Sequence, residues 1–147
     1  EARPADALEV LRTVGRASPY GDMWVAATRA CAAGQLGDGA TQAQAMAFLR
    51  EHVDDNFSAM ARAFLCVNDL DGAAALYVRR LNDPQERGDA LIALQSYRRP
   101  PNRSLPHEAL LLERLAQVRA RADVRAAVEA VGRIEEVPLY SVYWGDV

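Results

Sequence analysis

Apolar residues recur along most of this chain three and four positions apart, the spacing of one face of an α-helix. Leu8, Leu11 and Val14 follow Pro4 and stop at Gly15, which predicts a helix over 4–15. Ser18-Pro19 supplies a capping hydroxyl and a proline whose missing N–H costs nothing, so a second helix is expected over 19–33, ended by Gly34. Gly34 to Gly39 reads as a turn. Thr41 and Gln44 then read as a capping box for a third helix over 41–53, with Met46, Leu49 and Val53 as its buried stripe. A fourth, over 55–67, carries Phe57, Met60, Phe64 and Leu65 and breaks at Asn68-Asp69. A fifth, over 71–81, turns Leu76, Tyr77 and Leu81 inward.

Asp83-Pro84-Gln85-Glu86 combines an N-cap, an N1 proline and a capping box, the strongest boundary signal in the chain. The sixth helix is expected over 84–98 with Leu91, Leu94 and Tyr97 inward, stopped by Pro100-Pro101. Ser104-Leu105-Pro106 restarts a helix over 105–121. The last, over 123–135, shows Val124, Ala127, Val128, Val131 and Ile134 and ends before Pro138. The tail 136–147 includes the apolar and aromatic run from Leu139 to Trp144. Eight helices with short links predict a single all-α domain over 1–147, built of antiparallel α-hairpins.

Composition agrees. Among 147 residues there are 28 Ala and 16 Leu against 2 Ile and 3 Thr, which favours helix over sheet. No apolar run approaches the ~20 residues of a membrane span. The net charge of −3 argues against a general nucleic-acid binder. All 17 basic residues are Arg, so Schiff-base chemistry and a P-loop lysine are excluded. Charge is uneven: residues 1–73 hold 6 Arg against 10 acids, and 74–147 hold 11 Arg against 10. The most basic region, Arg98, Arg99, Arg103, Arg119, Arg121 and Arg125, would suit phosphates or an acidic partner if it shared one face, but its interleaved acids favour i,i+4 pairing on a solvated face.

A shift of 34 residues superimposes Leu36 on Leu70 and Met23–Ala30 on Phe57–Phe64, with Cys31 near Cys66. Within 57–84, Phe57-x2-Met60-Ala61-x2-Phe64 matches the first-helix pattern W-x2-L-G-x2-Y. Ala73-x3-Tyr77, closed by Pro84, matches the second-helix pattern. This stretch resembles a tetratricopeptide repeat. The flanking units, using Met23, Ala26, Ala27 and Ala30 before it and Leu91, Leu94 and Gln95 after it, are degenerate, and the resemblance covers about residues 20–120. It implies hairpins stacked as a short right-handed superhelix, whose first helices line a concave groove for a peptide or a protein partner. Mapped onto this chain, the groove positions are Trp24 and Thr28, Ser58 and Arg62, and Ile92, Ser96 and Arg99. Trp and Arg are usual anchors of such surfaces. The plainer reading of Trp24 is a core residue.

Cys31 and Cys66 then fall on adjacent first helices near the same end, either as a disulfide or as two small buried thiols. They have no metal-ligand spacing. His52 and His107 read as helix-end residues, and Asp69 and Asp71 as capping residues rather than a cation loop. Arg87-Gly88-Asp89 falls in the first turn of a helix, not at an extended loop tip. No nucleophile elbow, HExxH or nucleotide-binding loop is present, so no catalytic residue, metal or cofactor is expected.

The expected function is a non-enzymatic interaction module, with self-association as a further option. One alternative is a helical enzyme or ligand-binding protein using His52, Asp54, Asp55 and Arg62; another is a structural subunit of an envelope assembly. A chain opening at Glu1, with a feasible cysteine pair, leans towards the bacterial periplasm or secretion over the cytoplasm.

Overall fold

Local signals for helix run through most of the chain, and the computed structural model, which describes residues 3–98 and 105–138, is accordingly mostly helical. Its contacts sort the chain into two compact units, Glu1–Asp69 and Leu70–Val147. The boundary falls inside the stretch 57–84, so the two helices of the best repeat-like motif belong to different units.

The first unit holds α1 (Pro4–Thr13), α2 (Pro19–Leu36), α3 (Gly39–Glu51), a one-turn 3-10 helix (Val53–Asp55) and α4 (Phe57–Val67). α2 is its hub and packs against α1, α3 and α4. Ser18 starts it by accepting a hydrogen bond from Gly21 N at 3.2 Å, with Pro19 in the first turn. It runs past Gly34 and stops at Gly37, which has φ +73 and donates its N–H to Ala33 and Gly34 carbonyls. Glycine at Gly34 is compatible with helix; only Gly37 takes the left-handed turn.

The cap of α3 also lies earlier than expected. Asp38, not Thr41, is the capping residue, its carboxylate accepting from Thr41 N at 3.0 Å. Hydrogen bonds from Thr41, the side chain first and the backbone second, hold the Asp38 carboxyl below its ordinary value. α3 folds back on α2 as a hairpin, with Gln42 against Gly34. α4 begins at Asn56, whose side chain accepts from Ala59 N at 3.0 Å, and ends at Asn68 in the left-handed region with φ 61. Arg50 of α3 spans to α4: its guanidinium lies 5.8 Å from the Phe64 ring centroid and 3.5 Å from Asp69.

The second unit holds α5 (Leu70–Asn82), α6 (Arg87–Leu94), β1 (Ser96–Tyr97), α7 (Pro106–Ala120), α8 (Ala122–Glu129) and β2 (Glu136–Val137). α5 packs on α6, α7 and α8, and buries Ala73, Ala74, Leu76, Tyr77 and Leu81. Leu111, Leu115 and Val118 of α7, with Val124 and Val128 of α8, complete this core. Arg80 is buried and its Nε lies 3.4 Å from Glu86 Oε2. Burial raises the Tyr77 hydroxyl above its ordinary value, opposed by Arg80 and Arg119.

Two helices are shorter than the sequence suggested. The sixth starts at Arg87, because Asp83 Oδ1 accepts from Gln85 N at 2.8 Å in a turn and Glu86 faces Arg80 rather than closing a capping box. It ends at Leu94, and Ser96 and Tyr97 form a parallel pair with Glu136 and Val137. The eighth ends at Glu129, so Val131 and Ile134 lie outside any helix. α8 closes in a tight turn, with Val131 N and Gly132 N donating to Val128 O at 3.0 and 2.7 Å, and the Gln95 side chain joins the segment that follows to the end of α6. That side chain donates to Leu91 O at 2.9 Å and Arg133 O at 3.1 Å, and accepts from Glu135 N at 2.8 Å. That bridge holds 133–135 beside the end of α6. Gly132 permits the approach, since a Cβ there would meet Leu91 Cδ1 at 3.0 Å.

Candidate functional site

α2 and α4 lie side by side and parallel, tied at both ends. At their N-terminal ends, Asn56 Nδ2 donates to Tyr20 O at 3.3 Å. Towards their C-terminal ends, Cys31 and Cys66 form a disulfide with Cα atoms 5.2 Å apart. The offsets between tied residues, 36 and 35, make the pairing a nearly constant register along the two helices. Such a short Cα separation needs close helix axes. Small residues allow it: the buried positions include Ala26, Ala27 and Ala30 on α2 and Ala59, Ala61 and Ala63 on α4.

The disulfide also fixes which faces adjoin. At 3.6 residues per turn, Trp24, Thr28 and Cys31 fall within an arc of about 60° on α2, and Ser58, Arg62 and Cys66 within about 80° on α4. The sulfur bridge therefore joins the two stripes that carry the four predicted groove residues of this unit. Trp24 is half-buried, so it is not sealed in the core; Thr28 is exposed and its hydroxyl donates to Trp24 O at 2.9 Å. Ser58 is exposed and Arg62 half-buried. Tyr20, one turn before Trp24, is 56% exposed and extends the strip; its position outside the repeat motif hid it from the sequence.

The predicted residues of the second unit do not form a comparable helical stripe. Ile92 lies on α6 and is 49% exposed. Ser96 was expected on a helix but belongs to β1, where its N–H donates to Glu135 O at 3.1 Å. Arg99 lies outside the described residues, as do Arg103 and the aromatic run 139–144.

The polar alternatives are placed as follows. His52 caps α3, stacks on Phe48 with ring centroids 4.4 Å apart, and its Nδ1 is 3.4 Å from Asp55 Oδ2. The His52 and Asp55 side chains are 40% and 39% exposed, on a solvent-facing turn, and Asp54 beside them is exposed. His107 stands in the first turn of α7, half-buried. Asp69 faces Arg50 at 3.5 Å, and Asp71 meets Arg121 at 2.6 Å, so guanidinium groups take both carboxylates. Arg121 also contacts Asp123 at 3.2 Å; the Asp123 and Asp71 hydrogen bonds, in that order, raise the guanidinium's affinity for its proton. Arg125 pairs with Glu129 at 3.9 Å, and Arg119 caps the end of α6 through Leu94 O and Gln95 O. Oxidised to a disulfide, Cys31 and Cys66 offer no thiolate to a metal. Among the described residues, no helix is long and apolar enough to cross a membrane.

Compared with protein-family models, with curated proteins and with solved structures, the chain finds no match.

Proposed function

We propose that this chain is a non-enzymatic interaction module of tetratricopeptide-like α-hairpins, and that the α2–α4 face of its first unit receives a protein or an extended peptide. One observation carries the reading: the parallel pairing of α2 and α4 at a register of 35–36 residues, tied at both ends, with Trp24, Thr28, Ser58 and Arg62 on the joined stripes. Successive first helices of a repeat array run parallel in this way. The face combines a half-buried indole, a guanidinium and two hydroxyls, a mixture suited to an apolar anchor flanked by backbone hydrogen bonds.

The test is panning of a random-peptide phage library on the oxidised chain. Enriched peptides should bind the double variant Trp24→Ala, Arg62→Ala at least about 30-fold more weakly, the loss of one anchor residue or more. Helicity by circular dichroism should be unchanged. Peptides that bind the variant as well as the parent, or no enrichment at all, would remove the groove assignment.

A further inference from the structure

The first unit is small and its interior is made mostly of alanine. It spans 69 residues. Of the fifteen buried positions on α2, α3 and α4, nine are Ala, beside Met23, Met46, Leu49, Met60, Phe64 and Leu65. α1 contributes no buried residue, and its Val10 is 62% exposed. An alanine withdraws a single methyl group from water. Below about 70–80 residues a single hydrophobic core supplies little net stability, and a cross-link is one common supplement. The second unit has no cross-link and buries larger groups: Leu76, Tyr77, Leu81, Leu94, Leu111 and Leu115.

We propose that the Cys31–Cys66 bond is a redox latch on the fold of the first unit. Oxidised, the unit holds α2 and α4 together and keeps their shared face; reduced, it loses its fold while the second unit keeps its own. Closing a loop between residues 35 apart shifts the folding equilibrium by about two to three orders of magnitude in the chain-entropy model. For an alanine-cored unit that is a large part of its whole stability. The chemistry is thiol–disulfide exchange with a dithiol. One thiolate of the reductant attacks a sulfur of the pair, and its second thiol resolves the mixed disulfide. The S–S bond here becomes two thiols, gaining two electrons and two protons, and the reductant ends as a disulfide. Both cysteines are half-buried rather than sealed in the core. The chain has no third cysteine, so reoxidation restores the same bond.

Amide hydrogen exchange on the full chain, oxidised and then reduced with dithiothreitol, tests this without any binding partner, so its outcome is independent of the groove reading. Protection in α2 and α4 should fall by about a hundredfold or more on reduction, with α5 and α7 changed by less than about threefold, and reoxidation should restore it. The double variant Cys31→Ala, Cys66→Ala should match the reduced chain. Unchanged protection in α2 and α4 after reduction, or in the double variant, would overturn the proposal. So would an equal loss in α5 and α7, because the latch would then not be local to its unit.

Discussion

Asn56 serves two helices at once. Its oxygen caps α4 through Ala59 N, and its nitrogen reaches Tyr20 O on α2. At 5% exposure, neither bond is easily replaced by water. Asn56→Ala should therefore cost about 1–2 kcal/mol in urea unfolding of the first unit. Asn56→Asp keeps the cap acceptor and loses the donor, so it should unfold between the parent and the alanine variant. An alanine variant as stable as the parent would contradict this account of the pair. Tyr77 makes the matching case in the second unit. Burial raises its hydroxyl, so the unfolded chain releases that proton first. Its contribution to stability is intact below the ordinary tyrosine value of 10.0 and is lost as pH climbs through the raised value. Denaturant midpoints measured across the alkaline range should fall for the parent and fall less steeply for Tyr77→Phe. Single capping residues such as Ser18 were legible in the sequence, because the cap and its helix are neighbours in the chain. The double role of Asn56 was not, because Tyr20 is 36 positions away.

At the scale of elements, all eight α-helices among the described residues were legible from apolar spacing, and most starts from proline and capping residues. The ends were less so, for a physical reason visible at Gln95. Apolar positions continue to Tyr97 in one segment and to Ile134 in the other, and periodicity alone extends both helices. Three hydrogen bonds of the Gln95 side chain instead tie the end of α6 to residues 133–135. Gln95→Ala should cost about 1–3 kcal/mol and expose the amide of Glu135 to rapid exchange, while the α7 amides stay protected. Slow exchange at Glu135 in that variant would mean that the β1–β2 pair, not Gln95, holds the segment. The end of α2 makes a similar point with glycine. Gly34 and Gly37 look alike in the sequence, but only Gly37 has the positive φ that a side chain disfavours. Gly37→Ala should destabilise the first unit by about 1 kcal/mol, read as a lower urea midpoint.

For the whole molecule, the all-α class followed from alanine and leucine content. The structure sets α2 and α4 in parallel at a register of 35–36 residues, one to two more than the 34-residue shift of the sequence. The division at Asp69 was not legible, since Asn68-Asp69 looks like any other break between helices. Four of the seven proposed groove residues lie on the joined stripes of α2 and α4. Ser96 left its expected helix for a hydrogen-bonding reason that lies 39 residues away, at Glu135. What the first unit offers is a bracketed pair of helices whose adjoining faces carry an indole and a guanidinium. The most direct test of its role places a photoreactive benzophenone side chain at Thr28 or at Ser58 of the full chain in its source cell. Arg133, whose side chain is 82% exposed, serves as the control position. The account predicts a discrete protein adduct from both test positions and none from the control. No adduct from Thr28 and Ser58, or the same adducts from all three positions, would contradict it.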